Sequence, residues 1–159
     1  MRFRNLRAEE LEGSVDIAGL DGWLRTVGAT DTTVLIFAPA GTGKAAAVGR
    51  LAHRLGRDVL LCNLMELFDH EDPLRQLDNL LRLCEGQHGS VIYLDKLDKA
   101  LAQADRQPGS SALAEHLTDW LRSHREHLLS AECTVVFTGR SPEAIPDSLQ
   151  GQIDKSLLA

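Results

Sequence analysis

A glycine-rich segment that separates an apolar run from an alanine-rich run constrains the fold of this chain more than any other feature. The apolar run, residues 33–37, is rich in β-branched side chains and predicts a buried strand. The alanine-rich run ends at Leu55 and predicts a helix, which Gly56 would close as a C-terminal cap. Because alternation of strands and helices is the pattern of α/β proteins, a strand followed by a helix predicts that fold class.

Further apolar runs continue this pattern along the chain. Leucines at helical spacing follow Pro73 as far as Gly86, and a second such helix is predicted from about Ser111. The polar stretch that follows Asp95 and runs through Asp105 and Pro108-Gly109 is expected to be an exposed loop. The predicted strands are residues 33–37, 58–62, 90–94 and 133–137.

The order of these elements predicts how they are arranged in space. Strands that alternate with helices imply right-handed crossovers and a parallel sheet. The predicted strands are almost continuously apolar, as expected where helices cover both faces of a sheet. We therefore predict a three-layer α/β fold, in which ligand sites lie at the carboxyl ends of the strands.

Length and composition limit the possible functions. A chain of 159 residues predicts one domain, with an N-terminal segment over 1–32 and an α/β core over 33–159. The net charge of −6 disfavours a nucleic-acid partner. No apolar run approaches the roughly 20 residues that span a bilayer, and no secretory signal is evident, so we expect a cytoplasmic protein without a membrane segment. Three cysteines outside any CxxC spacing predict buried thiols rather than a disulfide framework or a zinc site.

The glycine loop has the parts of a phosphate-binding site. Backbone N–H groups of Gly41, Thr42 and Gly43 at a helix N-terminus can bind an anion, and Lys44 can reach the terminal phosphates. The match to the pattern GxxxxGK[ST] is incomplete. An alanine stands at the first glycine position, and Ala45 stands at the final hydroxyl position.

The wider sequence resembles the AAA+ ATPases, a family of P-loop NTPases. The run APAGTGKA at 38–45 is similar to their Walker A motif GPPGTGK[ST], and residues 16–20 resemble the segment that lines the adenine site in classical AAA members. The likeness covers about 16–154 and implies a P-loop NTPase-type fold that binds ATP or ADP. By this resemblance the nucleotide-binding residues are Ile17, Ala18, Ala40, Gly41, Thr42, Gly43, Lys44 and Ala45.

Two more segments carry the resemblance. Residues 91–98 (VIYLDKLD) are similar to the Walker B strand, in which Asp95 is the retained aspartate that would orient a metal-bound water. Residues 135–149 resemble the sensor-1 region.

Several residues that the family uses for hydrolysis are replaced. Ala45 has no oxygen for Mg²⁺, and Lys96 stands where a carboxylate would activate the attacking water. Gly139 stands at the sensor-1 asparagine, and residues 150–152 (QGQ) replace the arginine fingers. Asp95 is thus the one expected metal ligand, and a role for Mg²⁺ is doubtful.

Asp98 admits two interpretations. It could substitute for the missing carboxylate, or it could be a solvated acid that pairs with Lys96 or Lys99. The resemblance also implies a helical lid after the fifth strand of the family, and we expect no lid within these residues.

These features lead to three functional hypotheses. The first is a degenerate AAA+ module that binds nucleotide weakly without hydrolysing it, and that acts on protein partners, including other AAA+ subunits, as a regulatory or structural subunit. The second is a divergent ATPase that needs Asp98 or a partner's residues. The third is a scaffold that no longer binds nucleotide. Whether the chain is an enzyme stays open at this point.

Overall fold

The structure, a computed structural model, describes residues 2–159, and within them a single sheet of six strands forms the centre of the fold. The strands follow the spatial order β1, β3, β4, β5, β2, β6. Their bounds are β1 (Arg4–Leu6), β2 (Thr33–Phe37), β3 (Asp58–Asn63), β4 (Ser90–Asp95), β5 (Thr134–Gly139) and β6 (Lys155–Leu158).

Six α-helices lie among residues 2–159, and the sequence predicted three of them, at 44–55, 73–85 and 113–130. Short 3₁₀ helices at Ala8–Leu11, Leu64–Asp69 and Pro142–Ala144 complete the connections. The helices are α1 (Leu20–Thr26), α2 (Lys44–Leu55), α3 (Pro73–Glu85), α4 (Leu97–Arg106), α5 (Leu113–Ser130) and α6 (Asp147–Gln150).

The sheet is parallel apart from one edge strand. Strands β2 to β6 run in the same direction, and β1 pairs with β3 in the antiparallel sense. The four predicted strands are confirmed as β2, β3, β4 and β5, with bounds that differ by no more than two residues. The two edge strands, β1 and β6, were not predicted.

Apolar layers lie on both faces of the sheet, which confirms the three-layer prediction. Alternate residues of a strand point to opposite faces. In β2, Leu35 and Phe37 pack with the core beside α3, α4 and α5, whereas Val34 and Ile36 pack with the core beside α1 and α2. All five residues of β2 are buried, so the run had to be continuously apolar.

The stretch expected to be an exposed loop is instead largely helical, because α4 covers 97–106. Its buried residues recur at the spacing of one helix face, and Lys99, Asp105 and Arg106 are exposed to the solvent. The prediction was wrong because the short side chains on this face gave a weak hydrophobic signal. The buried apolar residues of α4 are Leu97, Ala100, Leu101 and Ala104.

Two properties of the whole chain bear on its surroundings. No helix among residues 2–159 is long and apolar enough to cross a membrane. All three cysteines are buried, and burial raises the pKa of Cys84 to about 12. The thiols therefore belong to the core.

Candidate functional site

The glycine loop joins the end of β2 to the start of α2. Gly41 and Gly43 have φ angles of +77° and +93°, which L side chains rarely adopt. A Cβ on Gly43 would also lie 2.2 Å from the backbone oxygen of Ser14. Gly43 is therefore required twice, for its backbone conformation and for the close approach of the N-terminal segment.

Hydrogen bonds within the loop hold it in its present form. The Lys44 ammonium donates to the backbone oxygen of Ala38 at 2.9 Å, and the Thr42 hydroxyl donates to that of Pro39 at 2.6 Å. Burial lowers the pKa of Lys44, Asp95 opposes this effect, and Arg140 adds to it. Lys44 is thus a partly desolvated cation at the mouth of the loop.

Asp95 lies at the carboxyl end of β4 and is fixed by two donors. Its Oδ1 accepts a hydrogen bond of 2.7 Å from the Thr138 hydroxyl on the neighbouring β5 and one of 2.9 Å from the backbone N–H of Lys96. Lys44 and Asp95 line the same cavity of about 220 Å³. The order of the motifs predicted this proximity at the carboxyl edge of the sheet.

Positive side chains outnumber carboxylates around this cavity, which we call the phosphate cavity. Four cationic and two acidic residues line it, so its net charge favours an anion. The lining residues are Ala40, Gly41, Lys44, Asp95, Lys96, Asp98, Lys99, Gly139 and Arg140.

Lys96 links β4 to α4 in a strained backbone conformation. It is the residue before the first turn of α4 and has a φ of +63° in the left-handed region. This conformation costs a residue other than glycine about 1 to 2 kcal/mol. The cation therefore stands where the resemblance expects the water-activating carboxylate, at a position that favours glycine.

Asp98 lies in the first turn of α4 and is only 7% exposed, so the solvated-acid interpretation was wrong. Its Oδ2 accepts hydrogen bonds from the backbone N–H groups of Arg140 at 3.1 Å and Ser141 at 2.9 Å. Recognition of α4 in the sequence would have shown that Asp98 faces the sheet.

Gly139 ends β5 directly beside this carboxylate. A Cβ on Gly139 would lie 2.6 Å from Asp98 Oδ1 and 2.8 Å from Phe37 Cζ. There is consequently no room at 139 for the asparagine of sensor-1. The Asp98 carboxylate fills that space from α4.

The N-terminal segment crosses the other side of the loop. The backbone N–H of Asp16 donates to the Thr42 oxygen at 2.7 Å, and the adjacent Ile17 is buried. A cavity of about 210 Å³ is lined by Ile17 and by Arg50 of α2, among others. Ala18 is exposed and does not line it.

A further cavity of about 420 Å³ lies between the 3₁₀ helix Ala8–Leu11 and α2. It is lined by residues of both elements, including Ala46 and Gly49. Sequence reasoning missed this contact of the N-terminal segment with α2. Gly49 was the available signal, since a Cβ there would lie 2.8 Å from Leu11 Cβ.

The predicted nucleotide-binding residues therefore divide into groups. Ala40, Gly41 and Lys44 line the phosphate cavity, whereas Thr42 and Gly43 shape the loop. The Ala45 side chain is an exposed methyl group in the first turn of α2. Over the described range 2–159, no group of three or more His, Cys, Asp or Glu side chains could hold a metal ion.

The buried strand, the glycine loop with its lysine and the neighbouring strand-end aspartate together define a P-loop α/β protein of the nucleotide-binding class. The ATPase family associated with various cellular activities (AAA) matches residues 34–159. Because this match covers most of the chain, the chain belongs to the AAA family, whose members bind nucleotide. A search of curated proteins gave no match.

Proposed function

We propose that this chain is an AAA+ module that binds ATP or ADP without hydrolysing it and acts through protein contacts as a regulatory or structural subunit. The observation that carries the proposal is the phosphate cavity, which keeps Lys44 and Asp95 but has Lys96 at the water-activating position. Other AAA+ subunits are the partners we propose first. A reducing compartment such as the cytoplasm suits the buried thiols.

Binding is supported by the charge and shape of the site. The cavity combines a helix N-terminus, the Lys44 ammonium and three further cations. The hydrogen bond from the Asp16 N–H to the Thr42 oxygen holds Ile17 beside the loop. The resemblance expects adenine at this place. These contacts support the proposed phosphate and adenine parts of the site, although Ala18 does not line the neighbouring cavity.

Loss of hydrolysis is supported by the chemistry of three positions. A lysine at 96 cannot take the place of the carboxylate that activates water, because its ammonium group has donors and no acceptor. Gly139 offers no side chain, and the segment 150–152 carries no arginine. Arginine fingers raise the rate of nucleotide hydrolysis by a factor of about 10³ to 10⁵, so their absence alone would lower that rate strongly.

The Mg²⁺ ligands that P-loop proteins use do not fit here. Ala45 has a methyl group in place of the hydroxyl ligand, and both Asp95 Oδ1 and Asp98 Oδ2 already accept two hydrogen bonds. The four cations around the cavity would repel a divalent ion. We propose that they neutralise phosphate charge in its place.

The test is nucleotide binding by the purified chain, measured by calorimetry and thermal shift with ATP and with ADP. Lys44→Ala should weaken binding at least tenfold, or about 1.4 kcal/mol. Arg106→Ala removes one exposed cation at the far end of α4 and serves as the matched control. If no nucleotide shifts the melting temperature at several millimolar, the chain is a scaffold and the proposal fails.

The position of Asp98 favours a second candidate function, that of a divergent ATPase. Asp98 is the other carboxylate that lines the phosphate cavity. Under our proposal, ATP hydrolysis should remain at background both alone and with candidate AAA+ partners. Turnover that needs a partner and is abolished by Asp98→Asn would establish the divergent ATPase instead.

A further inference from the structure

The place of the sensor-1 side chain is filled by a carboxylate that comes from a different element. Asp98 reaches from α4 to the end of β5, where its Oδ1 occupies the space beside the Gly139 Cα. Two backbone N–H groups hold its Oδ2, so the side chain cannot swing away without losing both hydrogen bonds. The carboxylate is therefore a fixed negative charge in the lining of the phosphate cavity.

The Asp98 carboxylate lines the same cavity as Lys44, the lysine of the glycine loop. Lys44 reaches β- and γ-phosphates in P-loop proteins. The charge of Asp98 acts on the pKa of Lys44. A third phosphate at Lys44 would bring additional negative charge into the cavity that Asp98 lines.

Two of the four cations around the cavity, Lys99 and Arg140, differ from Asp98 in burial. Lys99 and Arg140 are exposed, so water and salt screen their charges, and their side chains are long and flexible. Asp98 is 7% exposed and held in place. Because a fixed, buried charge is screened less than a mobile, exposed one, the repulsion of a third phosphate by Asp98 is screened less than its attraction by Lys99 and Arg140.

We propose that Asp98 is a specificity-determining residue that makes this site prefer a nucleoside diphosphate to the corresponding triphosphate. The inference rests on the proposed nucleotide binding and adds its selectivity. A site that prefers adenosine diphosphate would keep the module in one nucleotide state in the presence of ATP.

Asp98→Asn tests the proposal with little change in shape. The amide oxygen can accept both backbone hydrogen bonds, and the amide NH₂ then replaces Oδ1 beside Gly139, so the negative charge is removed from the cavity wall. We expect ATP affinity to rise about tenfold and ADP affinity to change less than threefold, by calorimetry with excess chelator. Asp105→Asn makes the same charge change at an exposed position of α4, so the ratio of the two affinities should stay unchanged.

The wild-type chain supplies a test that needs no variant. It should bind ADP more tightly than ATP under the same conditions. A wild-type protein that binds ATP tenfold more tightly than ADP overturns the proposal, as does an Asp98→Asn protein with an unchanged affinity ratio. In both of these cases nucleotide binding itself stands. Failure of both nucleotides to bind the folded wild-type chain would instead refute the proposed function.

Discussion

Lys96 combines a strained backbone with a charge that faces the phosphate cavity. Its φ of +63° favours glycine, yet the sequence has a lysine there. Glu132 is the other residue besides glycine with a positive φ in the described part of the chain, and it lies away from this cavity between α5 and β5. The two positions share the strain but differ in their distance from the proposed ligand.

Replacing each of these residues by glycine separates strain from binding. Lys96→Gly and Glu132→Gly should both relieve strain and change the free energy of unfolding by about +1 kcal/mol, measured by urea denaturation. Only Lys96→Gly should weaken ADP binding, because it removes a cation from the cavity. Equal ADP affinity in the two variants would show that Lys96 makes no contribution to binding.

At the scale of elements, α4 decides where the chemistry of the site lies. It joins β4 to the rest of the core and brings Asp98 under Gly139. Its buried face includes Leu101, which is 4% exposed and packs in the core beside α3 and α5. The helix is therefore a structural part of the fold rather than a surface loop.

Truncation of a side chain on this buried face of α4 measures how much the face contributes to the free energy of unfolding. Leu101→Ala should lower the free energy of unfolding by about 2 to 5 kcal/mol, because it leaves a cavity in the core. Asp105→Ala on the exposed side of the same helix should change it by no more than about 0.5 kcal/mol. Similar small effects for both variants in chemical denaturation would contradict the packing described for α4.

What the sequence could predict depended on how strong each local signal was. The four central strands were predictable because burial on both faces requires continuous apolar runs, and the P-loop was predictable because its glycines have fixed spacing. The edge strands are short and partly exposed, so β1 and β6 gave no such run. Asp98 was misjudged because its environment depends on α4, and the contact between Gly43 and Ser14 depends on tertiary packing.

A carboxylate at the far edge of the sheet ties three elements together. Asp154 precedes β6, accepts N–H hydrogen bonds from Thr32 and Thr33 at the start of β2, and pairs with Arg125 of α5. Burial by itself would raise the pKa of Asp154, but the bonds from Arg125 and the backbone outweigh it, so the pKa lies below its usual value. The ionised form therefore stabilises the native state.

Because the pKa of Asp154 is lowered in the folded state, the free energy of unfolding depends on pH. The stabilisation is complete above the unfolded-state pKa of about 3.9 and is lost as the pH falls through the lower folded-state pKa. Asp154→Asn should lower the free energy of unfolding at pH 7, and the gap to wild type should narrow below about pH 4. Urea denaturation at several pH values checks this, and a gap that widens on acidification would contradict the assignment.

At the scale of the whole molecule, the sheet brings residues from separate parts of the sequence to one phosphate site. Lys44 follows β2, Lys96 follows β4, and Arg140 follows β5, and these three strands lie side by side within the sheet. The three cations therefore surround one cavity. The replacement of a metal by side-chain charge that we propose would therefore depend on this arrangement and not on a single substitution.

The last prediction concerns Mg²⁺, which an ordinary P-loop uses to neutralise β- and γ-phosphate charge. Ala45 removes one ligand, and Lys96 places a positive charge beside the same phosphates. Nucleotide affinity measured by calorimetry should therefore differ by less than about tenfold, or 1.4 kcal/mol, between excess Mg²⁺ and excess chelator. The double variant Ala45→Thr with Lys96→Glu returns a hydroxyl and a carboxylate, so affinity should then depend strongly on Mg²⁺. A wild-type affinity that rises a hundredfold with Mg²⁺ would refute metal independence, and a double variant that stays insensitive would show that the loop geometry no longer supports metal coordination.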